Sequence, residues 1–141
     1  MDYMKLANEL LDVQELLIQV PARQKLTKMA RGELFVLNYL AYHGSNIHPK
    51  ELSEKMAVST ARIASLLNHL EQKKLIQRQV DPQDNRQIIV LLTQLGRQES
   101  YRVRSELLPD IAAMLEKLGP EDAESLIRIE QKIWTGFQSE L

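Results

Sequence analysis

The apolar period of this chain changes once and then changes back, and that switch constrains the fold more than any other feature. Before Leu75 and after Thr93, apolar residues recur at steps of three and four, the spacing of helices with one buried face. Between them Ile76, Arg78 and Val80 alternate with Gln77 and Gln79, and Ile88–Leu92 is apolar and β-branched. Asp81-Pro82-Gln83-Asp84-Asn85 separates the two stretches with turn-forming residues. One hairpin is therefore expected inside an otherwise helical chain.

The helices can be placed from their stripes and caps. Leu6, Leu10, Val13, Leu17 and Val20 predict a first amphipathic helix that Pro21 ends. A second runs from about Arg31 to His43, with Leu34, Leu37 and Ala41 on one side and Gly44-Ser45-Asn46 closing it. Pro49 opens a third, which stops before Val58. Ser59 caps a fourth, whose buried face is Ile63, Leu66, Leu67 and Leu70. Arg62, Ser65 and His69 share its opposite face, with Asn68 nearby. Thr93 begins a long helix that Pro109 is expected to kink or break, because proline removes a donor and crowds the preceding turn. Gly119-Pro120 starts the last helix, striped by Leu126, Ile129, Ile133 and Phe137 with Trp134 alongside.

Composition removes whole classes of function. The chain has 141 residues, 44% apolar and 26% charged, enough for one globular domain with a core. The absence of cysteine excludes disulfide scaffolds, thiolate zinc sites and thiol redox sensors. No apolar run approaches the roughly 20 residues that span a bilayer, so no membrane partner is expected. The opening residues lack a basic leader, and a cytoplasmic location is the expectation. The five glycines are isolated, so no phosphate-cradling loop can be drawn. His43, His48 and His69 match no metal-ligand spacing, and no serine has a histidine and acid set around it. Neither an enzyme nor a cofactor is expected.

Charge is informative by position. The net charge of −1 conceals a positive segment at residues 21–31, carrying Arg23, Lys25, Lys28 and Arg31 without an acid. Basic residues also outnumber acids from Ser59 to Thr93, while acids prevail after Tyr101. Three short helices followed by a hairpin, over residues 31–93, make a winged helix-turn-helix. Its third helix would bring Ser59, Thr60, Ala61, Arg62 and Ser65 to DNA, small residues at the helix start letting backbone amides approach phosphates. Arg62 has the fork for a guanine edge or a phosphate; Asn68 is polar but stands further along the helix.

Taken in order, Phe35–Leu40, Pro49–Met56, Val58–Glu71, Asp81–Arg86 and Val90–Gly96 resemble the MarR family of transcription regulators over roughly residues 26–97. The wing, Asp81 to Arg86, is the most specific stretch. The resemblance implies a mainly α fold with a small β-hairpin: a winged helix-turn-helix at 26–97, flanked by dimerisation helices at 1–25 and 98–141. It implies a homodimer straddling a pseudo-palindromic operator in double-stranded DNA, a sequence-specific repressor released by a small aromatic or amphipathic effector. Arg86 matches the family's wing arginine, which enters the minor groove, and Asp84 the acid that holds it. Phe35, Tyr39 and Tyr42 are spaced to line an effector site. Two positions depart from the pattern. Gln83 stands where a basic residue is common, and Lys74 where glycine usually follows the reading helix, at a cost if its φ is positive. The alternative is a helical protein-interaction module that kept the winged fold without affinity for DNA.

Overall fold

Twelve buried apolar side chains, all from the middle of the sequence, form the core around which this chain is organised. The computed structural model describes residues 1–140. In chain order the helices are α1 (Tyr3–Leu17), α2 (Pro21–Met29), α3 (Gly32–His43), α4 (Pro49–Met56) and α5 (Thr60–Gln72). The hairpin β1 (Ile76–Asp81) and β2 (Asp84–Leu92) follows, then α6 (Gln94–Leu118), α7 (Pro120–Phe137) and a 3-10 turn at Gln138–Glu140. Val36, Leu37 and Leu40 of α3, Leu52 of α4, and Ile63, Leu66, Leu67 and Leu70 of α5 close over Ile76 and Val90 of the hairpin. Burying aliphatic side chains of this size stabilises by roughly 1.5–3 kcal/mol each. Ile47, from the α3–α4 loop, accepts the Val90 amide at 2.8 Å and ties that loop to β2.

The strands pair antiparallel from Ile76 opposite Leu92 to Val80 opposite Ile88, after which Asp81 faces Asp84. The turn is therefore Pro82-Gln83, shorter than the five-residue turn expected, and Asn85, Arg86 and Gln87 bulge out of β2. Arg86 projects from that bulge.

The structure adds detail at Pro21, at the ends of the winged module and at Pro109. Pro21 ends α1 only by opening α2: it occupies the first turn, where its missing amide costs nothing, and Val20 is the N-cap. Helix α2 packs on both α3 and α6, so the expected boundary between residues 25 and 26 falls inside it. The boundary at 97 and 98 likewise falls within α6. That helix runs unbroken through Pro109. Pro109 and Ser105, whose carbonyl loses its helical donor, are both exposed, so water can take the donor's place.

Lys74 has φ 61, the left-handed conformation that the sequence comparison anticipated, and Ala57 in the α4–α5 turn has φ 52. Helices α1 and α7 contain no buried residue. Leu10, Leu11, Leu16 and Ile18 at one end, and Ile129, Ile133, Trp134 and Phe137 at the other, are exposed. Among the described residues no helix is long and apolar enough to cross a membrane.

Candidate nucleic-acid interface

Helix α5 has one face in the core and one in solvent. Ile63, Leu66, Leu67 and Leu70 are buried, while Thr60, Ala61, Arg62, Ser65 and Asn68 are exposed. Ser59 caps the helix as expected: its hydroxyl accepts the Arg62 amide at 3.1 Å. The amides of Thr60 and Ala61 belong to the first turn, which has no intrahelical acceptors, and the positive end of the dipole opens to solvent there.

The wing supplies the second half of the site. Asp84 accepts both the Arg86 backbone amide, at 3.1 Å, and its Nε, at 3.3 Å. The carboxylate thus fixes the base of the side chain while its terminal nitrogens point outward. The Arg86 side chain is 91% exposed.

Two groups that the sequence reading missed hold these parts together. Asp81 is buried at the root of the wing, accepting the Gln83 amide at 2.9 Å and bonding His48 Nε2 at 2.8 Å. The Gln83 amide first, and His48 second, hold its carboxyl below the ordinary carboxylate range. Arg78 of β1 spans to α5: its amide and Nε reach Glu71 Oε2 at 3.0 and 3.3 Å, and its Nη2 reaches Glu71 Oε1 at 3.0 Å. These bonds hold the Glu71 carboxyl below its ordinary range. Arg78 Nη2 also donates to Asn68 Oδ1 at 2.8 Å, so Asn68 is exposed yet already engaged. An arginine in the same alternating register as Ile76 was the available signal, since a charge on a core-facing register needs a partner.

Of the three aromatics expected at an effector site, Phe35 and Tyr39 stack with centroids 5.7 Å apart, and Tyr42 is 87% exposed. The Tyr39 hydroxyl donates to Glu51 Oε2 at 2.6 Å, and burial followed by that carboxylate pushes its pKa up to about 12. The three do not line the cavity at the α1–α2 elbow. That cavity, open and of about 770 Å³, lies where α1 turns into α2, walled by Leu17, Leu26, Met114 and Leu126, with Arg23, Arg31 and Glu130 also lining it.

An exposed helix preceded by a helix and turn, with a hairpin projecting beside it, defines a winged helix-turn-helix. Residues 27–87 match the model of the MarR family. YdgJ of Bacillus subtilis (strain 168), an uncharacterized HTH-type transcriptional regulator, is 29% identical over 103 residues, which cover 73% of this chain and 62% of YdgJ. The match thus spans less than two thirds of that relative. The crystal structure of YusO from Bacillus subtilis superposes with a TM-score of 0.66 at 27% identity, covering 96% of this chain and 98% of that one. A mutant MepR from S. aureus bound to an oligodeoxyribonucleotide shares the fold, with a TM-score of 0.57 at 23% identity over 98% and 99% of the two chains. Residues 27–87 are thus similar to the MarR family, and the fold of such regulators extends along the chain.

Proposed function

We propose that this chain is a sequence-specific DNA-binding transcription regulator that works as a homodimer. The observation that carries the reading is that one module presents both an exposed α5 flank and a projecting arginine steadied by an acid. In this reading Ser59, Thr60 and Ala61 let backbone amides meet phosphates, and Arg62, Ser65 and Asn68 face base edges in the major groove. Arg86 enters the minor groove, whose negative potential is strongest over narrow A·T-rich steps, and Asp84 limits the side-chain entropy lost on binding. MepR in complex with an oligodeoxyribonucleotide supports the same use of the fold.

The exposed apolar faces of α1 and α7 support the dimer, because contiguous apolar surface of that kind marks an interface. Repression by occupying an operator, relieved by a small amphipathic anion, completes the proposal. The cavity at the α1–α2 elbow, mainly apolar and lined also by Arg23, Arg31 and Glu130, is a candidate seat for such a molecule.

Fluorescence anisotropy on an operator tests the core of this. Affinity is expected to fall steeply with added salt as counterions are released. Arg86→Ala is expected to weaken binding, with fold and dimer intact, and to abolish the penalty for replacing A·T by G·C under the wing. Arg62→Ala is expected to relax preference at one or two operator positions, by about 1–3 kcal/mol. A penalty under the wing that survives Arg86→Ala overturns the minor-groove assignment. Salt-insensitive binding overturns the DNA reading and favours the protein-interaction module.

A further inference from the structure

Asn68 stands on the exposed stripe of α5 with Ala61 and Ser65, yet one end of its amide is already occupied. Arginine has donors and no acceptor, so the atom facing Arg78 Nη2 at 2.8 Å has to be the Asn68 carbonyl oxygen. Its NH2 group then points away from Arg78. The guanidinium is itself pinned, because Glu71 takes its Nε and Nη2 and also the Arg78 backbone amide. Arg78 is half-buried between α5 and the hairpin, so this arrangement belongs to the packed domain rather than to a free surface chain. Among the described residues the Asn68 NH2 has no hydrogen-bond partner.

A free asparagine reads adenine by doing two things at once, accepting from N6 and donating to N7. Guanine offers two acceptors on the same edge, N7 and O6, and needs only donors. We propose that Arg78 is a specificity-determining residue that never touches DNA: by holding the Asn68 carbonyl, it turns Asn68 into a donor and selects guanine over adenine at the base pair that Asn68 faces. The inference rests on the DNA-binding reading above. It extends that reading by assigning the preference at one operator position to a contact between the reading helix and the wing strand. Glu71 is the positioning residue behind it, since it fixes the guanidinium that fixes the amide.

The test is selection from a fully randomised duplex library with four proteins: wild type, Asn68→Ala, Arg78→Ala and Arg78→Lys. Wild type against Asn68→Ala identifies the base pair that depends on Asn68, and guanine is expected there, favoured about tenfold over adenine. Arg78→Ala is expected to move that one position toward adenine by a similar factor, leaving every other position unchanged. Arg78→Lys keeps a cation beside Glu71 but loses the second nitrogen of the fork, and the same shift is expected in a variant with less disturbed packing. Melting curves establish that each variant is folded, and the wild-type and Asn68→Ala pair decides the base identity even if Arg78→Ala does not fold. Adenine at the Asn68-dependent position, no position that depends on Asn68, or a preference unmoved in both folded Arg78 variants overturns the proposal. A wild type that binds duplex but enriches no sequence overturns sequence-specific recognition. One that binds no duplex overturns the DNA-binding reading as a whole, and this inference falls with it in both cases.

Discussion

The winged module and the terminal helices are made of similar amphipathic material and meet opposite fates within one chain. From α3 to β2 the apolar stripes converge, and nine of their larger side chains are almost wholly removed from solvent. In α1 and α7 stripes of comparable regularity bury no residue at all. Periodicity says which face of a helix wants cover; it does not say whether the cover lies in the same chain. The winged module supplies its own, while the apolar faces of the terminal helices stay exposed in the single chain.

Truncation of one leucine or isoleucine in each region breaks that contrast most directly. Leu70 is fully buried, and Leu70→Ala is expected to cost about 2–5 kcal/mol in urea unfolding. Ile133 is 56% exposed, and Ile133→Ala is expected to leave unfolding of the dilute chain within about 0.5 kcal/mol. Its effect is expected in sedimentation equilibrium, as weaker self-association. Equal losses of stability from the two would erase the distinction.

A smaller effect is expected at Lys74, whose left-handed backbone strains any residue with a Cβ. Lys74→Gly is expected to stabilise the winged module by up to about 1 kcal/mol, measured by thermal melting. The smallest is electrostatic. Glu71 and Asp81 are held below their ordinary range, so their contribution is complete above that range and is lost as pH falls through the lowered values. Glu71→Gln is expected to flatten the fall in melting temperature between about pH 6 and about pH 3. A slope identical to wild type would mean that the Arg78 contact does not hold in solution.

The parts of the fold that sequence disclosed are those where a local signal and the tertiary outcome agree. Ser59 and Thr93 cap the helices they were expected to cap, and both hydroxyls accept an amide three residues on. Ile63, Leu66, Leu67 and Leu70 are the buried face of α5, and Asp84 holds Arg86. The effect of a proline depends on its position, which the sequence pattern alone does not give. At Pro21 the lost amide was one no helix start can use, and at Pro109 the lost bond lies where water reaches. His48 with Asp81, and Arg78 with Asn68, lie 33 and 10 residues apart. The register of β1 marks Arg78 as needing a partner, but no period or cap names the partner; the pairs exist because packing brings the hairpin against α4 and α5.

The join between the winged module and α6 has a mechanical consequence. Thr93 donates its hydroxyl to the Lys74 carbonyl at 2.7 Å and its amide to the Leu75 carbonyl at 3.1 Å. At Gly96 a Cβ would collide with the Leu75 carbonyl oxygen, and Ser100 donates to Asn38 Oδ1 at 2.7 Å. The module is thereby welded to the first two turns of a 25-residue helix. At 1.5 Å per residue that helix is a rod of about 37 Å. A tilt of about 5° at its far end sweeps the welded end through about 3 Å, close to the 3.4 Å rise of one base pair. In the proposed dimer, a few degrees of scissoring near α7 would be enough to carry two α5 helices out of step with the turn of a duplex.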